Sequence, residues 1–83
     1  MERRNAPQRL NPDTISKAMF VDELRRAVIA AGQRVGRPSS VFELSRVLGY
    51  QSRRIQYWLA GRGPAYTTMQ RVYFELLKLR SQS

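Results

Sequence analysis

Residues 41–61 read VFELSRVLGYQSRRIQYWLAG, two short apolar periodicities divided by a single glycine. In the first, Val41, Leu44, Ser45 and Leu48 share one helical face. Ser40 and Glu43 form the Ser-x-x-Glu pattern of a capping box, so a helix is expected to open there and to end at Gly49. A second helix is expected from Gln51 or Ser52 to Ala60. In it Ile55, Trp58 and Leu59 fall on one side and point inward, while Arg53, Gln56, Tyr57 and Ala60 fall on the other. That division describes a helix seated on a core and turning polar chemistry outward.

The flanks extend the helical pattern. From Ile15 to Ala31 the residues Phe20, Leu24, Ala27, Val28 and Ala31 recur at spacings of three and four. Asn11, Pro12 and Asp13 suit a helix start, with Lys17 as the alternative, and Gly32 suits a left-handed stop. Residues 33–39, with Gly36 and Pro38, read as a loop. After the turn Gly61-Arg62-Gly63-Pro64, Thr67 and Gln70 offer another capping box for a helix running to about Leu79. Its apolar stripe is Met69, Val72, Tyr73, Leu76 and Leu77. Residues 1–10 read as a basic arm and residues 81–83 as a polar tail, which leaves 11–80 as one domain. No strand alternation, repeat or low-complexity tract is present. The fold class is all-α, a compact domain of four helices, five at most.

Composition narrows the function classes. Eighty-three residues make one small domain, and 42% hydrophobic content is ordinary for a globular chain. The charge is not ordinary: fifteen Lys+Arg, thirteen of them Arg, against six Asp+Glu give +9. Such an excess favours a polyanionic partner, nucleic acid before an anionic membrane. Without Cys or His there is no disulfide, no thiol nucleophile, no ordinary zinc site and no histidine acid–base chemistry. Paired carboxylates at a useful spacing are missing too, so no enzyme is expected, and no cofactor, metal or small-molecule substrate. No apolar run has the length of a membrane span and the start has no signal-peptide pattern, which points to a cytoplasmic protein without membrane association.

Two short helices joined by a glycine-containing turn form a helix-turn-helix, whose second helix can enter the major groove of DNA. The pattern Leu44-Ser45-x-x-Leu48-Gly49-Tyr50, then Ile55-x-x-Trp58 and Gly61-x-Gly-Pro64, resembles the Cro/phage-repressor-like helix-turn-helix domains over residues 20–79. Its compact size and the ending GPAYTTMQRVYFELL look like the small phage-encoded autorepressors, including anti-CRISPR-associated regulators. The chain departs from the family where Ser45 replaces a usual Ala and Leu59 a frequent Glu, and in a long loop before the motif. The resemblance implies base reading by Gln51, Ser52, Arg53, Gln56 and Tyr57. It implies phosphate contacts by Ser39, Ser40, Arg54 and Arg62. It also implies a homodimer on double-stranded DNA, because one reading helix covers only a few base pairs and a two-fold pair reads an inverted repeat. Phe74 and Leu77 on the last helix are the candidates for the dimer contact.

Each residue also has a plainer reading. Arg53, Arg54 and Gln56 could be a solvated face, Ser52 a helix cap, and Tyr57 packing against the first helix. Trp58 belongs to the core by its shared face with Ile55. Arg3, Arg4 and Arg9 could either keep the arm soluble or reach DNA, and Arg25 and Arg26 suit helix-surface pairs with Asp22. The competing functions are a small phage or plasmid inhibitor that binds a protein, which would ordinarily carry acidic charge imitating DNA, and a non-specific nucleic-acid-binding protein. A membrane-surface peptide fits poorly with ordered caps and a buried tryptophan.

Overall fold

The computed structural model describes residues 15–82, all-helical and without strands among them. The expected arm, with Arg3, Arg4 and Arg9, and the helix start at Asn11, Pro12 and Asp13 lie outside those residues. Four helices follow in order: α1 (Lys17–Arg34), α2 (Val41–Leu48), α3 (Ser52–Leu59) and α4 (Tyr66–Ser81). The two long helices, α1 and α4, pack on each other. The two short ones pack together, and both also contact α1.

The apolar stripes meet in one core. Phe20 and Leu24 of α1, Leu44 of α2, Ile55 of α3 and Val72 and Leu76 of α4 lose essentially all contact with solvent. Trp58 sits between Phe20 (ring centroids 5.8 Å apart) and Tyr50 (5.2 Å, edge to face). The edge-to-face geometry is the arrangement the ring quadrupoles favour. One aromatic therefore ties α3 both to the longest helix and to the turn that precedes it. A long-range polar tie comes from Arg80, which donates to the buried Glu23 carboxylate at 2.9 Å and joins the end of α4 to the middle of α1.

The helix ends confirm some sequence expectations and correct others. Ser16 caps α1, its hydroxyl oxygen accepting from the Met19 N–H at 3.0 Å, so the helix begins at Lys17. Gly32 is not its stop. The helix runs through Gly32 to Arg34, and the left-handed residue is Gly36 (φ 77°). There the Arg37 N–H donates to the Gly32 carbonyl at 2.8 Å and the Gly36 N–H to Gln33, the two bonds of a Schellman motif. Gly32 serves a different purpose. A Cβ on it would lie 2.3 Å from the Ser39 Cα, so glycine is what lets the returning loop press against α1.

The capping box at α2 forms by half. The Ser40 hydroxyl accepts from the Glu43 N–H at 3.0 Å, as expected. The Ser40 N–H, however, donates to the Val28 carbonyl of α1 at 3.0 Å, and Glu43 turns to Arg46 instead. Helix α2 then ends at Gly49 (φ 82°). Helix α3 ends at a second Schellman motif, Arg62 N–H to Tyr57 and Gly61 N–H to Trp58, with Gly61 at φ 92°. The second expected capping box is absent: α4 starts at Tyr66 with Ala65 as N-cap and no side-chain cap bond, one residue ahead of Thr67. A different anchor holds that end, the Tyr66 hydroxyl accepting from the Ile15 N–H at 3.1 Å.

Candidate nucleic-acid interface

Helix α3 has the sidedness its sequence announces. Ile55 and Trp58 are buried and Leu59 is half-buried against the core, while Arg53, Gln56, Tyr57 and Ala60 are exposed. Tyr57 is 50% exposed, so it does not tuck against α1. Ser52 is the first helical residue rather than the cap. The cap is Gln51, in extended backbone conformation and making no side-chain cap bond. The Ser52 hydroxyl is therefore not spent on its own helix end; the Arg54 N–H donates to the Gln51 carbonyl at 3.0 Å, and the two N–H groups ahead of it have no side-chain acceptor among the described residues. Such a helix start favours an anion through its orphan donors and its dipole.

The residues expected at phosphates fall on three stretches. Ser39 is exposed, with its backbone against Gly32, and Ser40 is half-buried. The Ser40 oxygen accepts the cap bond, which leaves the hydroxyl proton available to a further acceptor. Arg54 is exposed on α3. Arg62 is exposed just beyond it, with its N–H fixed in the Schellman turn, so its stem is held while its guanidinium is not.

Charge separates this region from the rest. From residue 25 to residue 74 the chain has nine arginines and one acid, Glu43. Each acid among the described residues already has a cation: Asp22 with Arg26, Glu23 with Arg80, Glu43 with Arg46 and Glu75 with Lys78. The exposed pairs of this set contribute little to stability, roughly 0–1 kcal/mol each. Their electrostatic consequence is larger, since no acid among the described residues remains to neutralise Arg53, Arg54 or Arg62. The outward face of α3 is thus a row of uncompensated donors on a helix whose opposite face is locked by Trp58.

The two residues expected at a dimer contact differ from each other. Phe74 is 44% exposed, its ring edge-to-face with Tyr73 at 6.1 Å, whereas Leu77 is half-buried beside the core stripe of Met69, Val72 and Leu76. Two surface features escaped the sequence reading. Phe42, on α2, is 67% exposed, and it lies off the Val41/Leu44/Leu48 stripe that marked the helix. Glu23 was invisible as a buried charge because its partner Arg80 is 57 residues away.

No helix of the described residues is long and apolar enough to cross a membrane, and no three His, Cys, Asp or Glu side chains come together among them. No known protein family, curated protein or solved structure matches the chain.

Proposed function

We propose that this chain is a sequence-specific double-stranded DNA-binding transcription regulator of the Cro/phage-repressor-like type, a homodimeric repressor acting in the cytoplasm on an inverted repeat. The observation that carries this reading is the outward face of α3, where exposed Arg53, Gln56 and Tyr57 stand together with no acid among the described residues to neutralise the arginine. Arg and Gln suit bidentate bonding to guanine and adenine edges in the major groove. Gln51 and Ser52 extend the reading at the helix start. Ser39, Ser40, Arg54 and Arg62 would hold the backbone, setting register and a salt-dependent affinity while carrying no sequence information themselves.

Dimerisation fits the arithmetic of recognition, and the partly exposed Phe74 and Leu77 on α4 are the surface for it. The test of the reading is enrichment of duplexes bound by the purified chain from a random pool. A pseudo-palindrome with half-sites about 10 base pairs apart is the expected outcome. Recovery of unenriched sequence with normal affinity would replace the proposal with non-specific nucleic-acid binding. For assembly, Phe74→Glu places like charges across the two-fold axis. It should give a folded monomer in sedimentation whose affinity for the full repeat falls to that for a half-site. A persistent dimer would move the interface away from α4.

A further inference from the structure

Helices α1 and α4 pack on each other but leave a local gap where the second half of α1 faces the end of α4. Between them lies a small cleft of about 60 Å³, open to solvent on one side, with an apolar floor. Helix α1 contributes Ala27 and Ala30 to that floor, α4 contributes Leu76 and Leu79, and α2 contributes the fully buried Leu44. The space has a simple origin. Ala27 and Ala30 stand nearly one turn apart on α1, and side chains that stop at Cβ do not reach across to the leucines. Protein interiors seldom leave such a gap between packed helices, because its lining forfeits dispersion contacts.

The mouth of the cleft is as particular as its floor. Its charged residues are Glu23, Arg26, Arg34 and Arg80. The carboxylate is already held by Arg80 at 2.9 Å, and Arg26 is held by Asp22 at 3.2 Å. Arg34, in the last turn of α1, is the cation at the rim with no acid beside it among the described residues. A guest with a cationic head would meet net positive charge, and a guest with no apolar part would leave the floor as it is. An aliphatic tail ending in an anion satisfies both.

We propose that the cleft between α1 and α4 is a small-molecule site for a short-chain aliphatic carboxylate, its tail on Ala27, Ala30, Leu76 and Leu79 and its head on Arg34. Leu44, fully buried, lies beneath the floor, so the cleft backs onto the helix that precedes α3. If the DNA-binding reading above holds, the site is a place from which a metabolic acid can tune that binding. The site itself does not depend on that reading, and its test uses no DNA.

Thermal unfolding of the full chain decides it, with hexanoate as the probe and acetate and hexylammonium as controls. Hexanoate at about five times its Kd should raise the melting temperature by about 4–8 °C, while acetate, which has the head without the tail, and hexylammonium, which has the tail with the wrong charge, should not. Arg34→Gln should weaken hexanoate roughly tenfold through loss of a charge-assisted hydrogen bond, with the melting of the free protein unchanged. Ala30→Leu fills the cleft and should abolish the response. An equal response to acetate would mean general screening of a basic chain and would overturn the proposal. So would no response to hexanoate, or a full response in Arg34→Gln. Those three arms stand even if Ala30→Leu fails to fold.

Discussion

Helices α1 and α4 span 18 and 16 residues, whereas α2 and α3 span 8 each. The difference governs how each pair is encoded. A helix shorter than about 12–15 residues is marginal in water by itself, so α2 and α3 exist only because something else holds them. Accordingly most of their positions are committed, with Phe42 and Val47 of α2 as exposed apolar exceptions. Ile55 and Trp58 go fully inward, Arg53 and Gln56 fully outward, Ser40 caps one start, and Gly49 and Gly61 close both ends. The long helices carry redundant information: α1 runs through a glycine without ending there. The short pair presents chemistry and the long pair supports it. Substitutions that mix the two roles test that division.

The largest effect is expected where presentation and support meet. Trp58→Ala removes the ring between Phe20 and Tyr50 and should cost about 3–5 kcal/mol, enough to unfold a domain of this size. Chemical denaturation measures it. A variant with unaltered stability that fails to bind duplex would put Trp58 on the outward face and reverse the sidedness assigned to α3.

Gly32→Ala comes next, and its sign is the informative part. In an exposed helix interior, exchanging Gly for Ala gains about 1 kcal/mol. Here the added Cβ would lie 2.3 Å from the Ser39 backbone, which cannot rotate away as a side chain can. The loop would have to lift, endangering the Ser40 N–H bond to Val28 and the seat of α2. The expected net loss is at least the roughly 1–3 kcal/mol of an overpacked core. A higher melting temperature in the variant would show that the loop does not press on α1.

Arg53→Ala and Arg62→Ala should leave stability within about 0.5 kcal/mol, since both side chains are exposed, and act on binding alone. On the proposed reading Arg53→Ala costs about 1–3 kcal/mol on the preferred duplex and relaxes one base position per half-site. Arg62→Ala should weaken all duplexes alike and lower the salt slope by about 0.9 per protomer. Filter binding across salt concentrations separates them. Equal losses on specific and random DNA for Arg53→Ala would make it a backbone contact.

These contrasts explain how much the sequence could say. The four helices, the core stripe and the polar face of α3 are legible because local periodicity carries them. The sequence reading failed where a long-range approach decided the outcome. Gly32 has the residue type of a helix stop, yet its role depends on a loop returning from Ser39. Nothing local marks Glu23 for burial, because its partner Arg80 comes from the far end of the chain. The cleft between α1 and α4 depends on which alanines oppose which leucines, a matter of helix crossing that no single periodicity records.

The smallest predicted effect is the sharpest test of the local reading, because two similar sequence signals met different fates. Ser40-x-x-Glu43 and Thr67-x-x-Gln70 both fit a capping box, but only Ser40 makes the cap bond. Ser40→Ala should therefore cost about 1 kcal/mol, the usual loss for a used N-cap. Thr67→Ala should be within about 0.5 kcal/mol of neutral, or slightly stabilising, because Thr67 lies inside α4, where alanine is the better helix former. The physical reason is the anchor: the Tyr66 hydroxyl, bonded to the Ile15 N–H, ties this end of α4 to the residues leading into α1 without a cap. Tyr66→Phe should accordingly cost more than Thr67→Ala, at about 0.5–1.5 kcal/mol for one lost hydrogen bond. Equal losses for Ser40→Ala and Thr67→Ala in parallel denaturant titrations would restore the second capping box and shift the start of α4 by two residues.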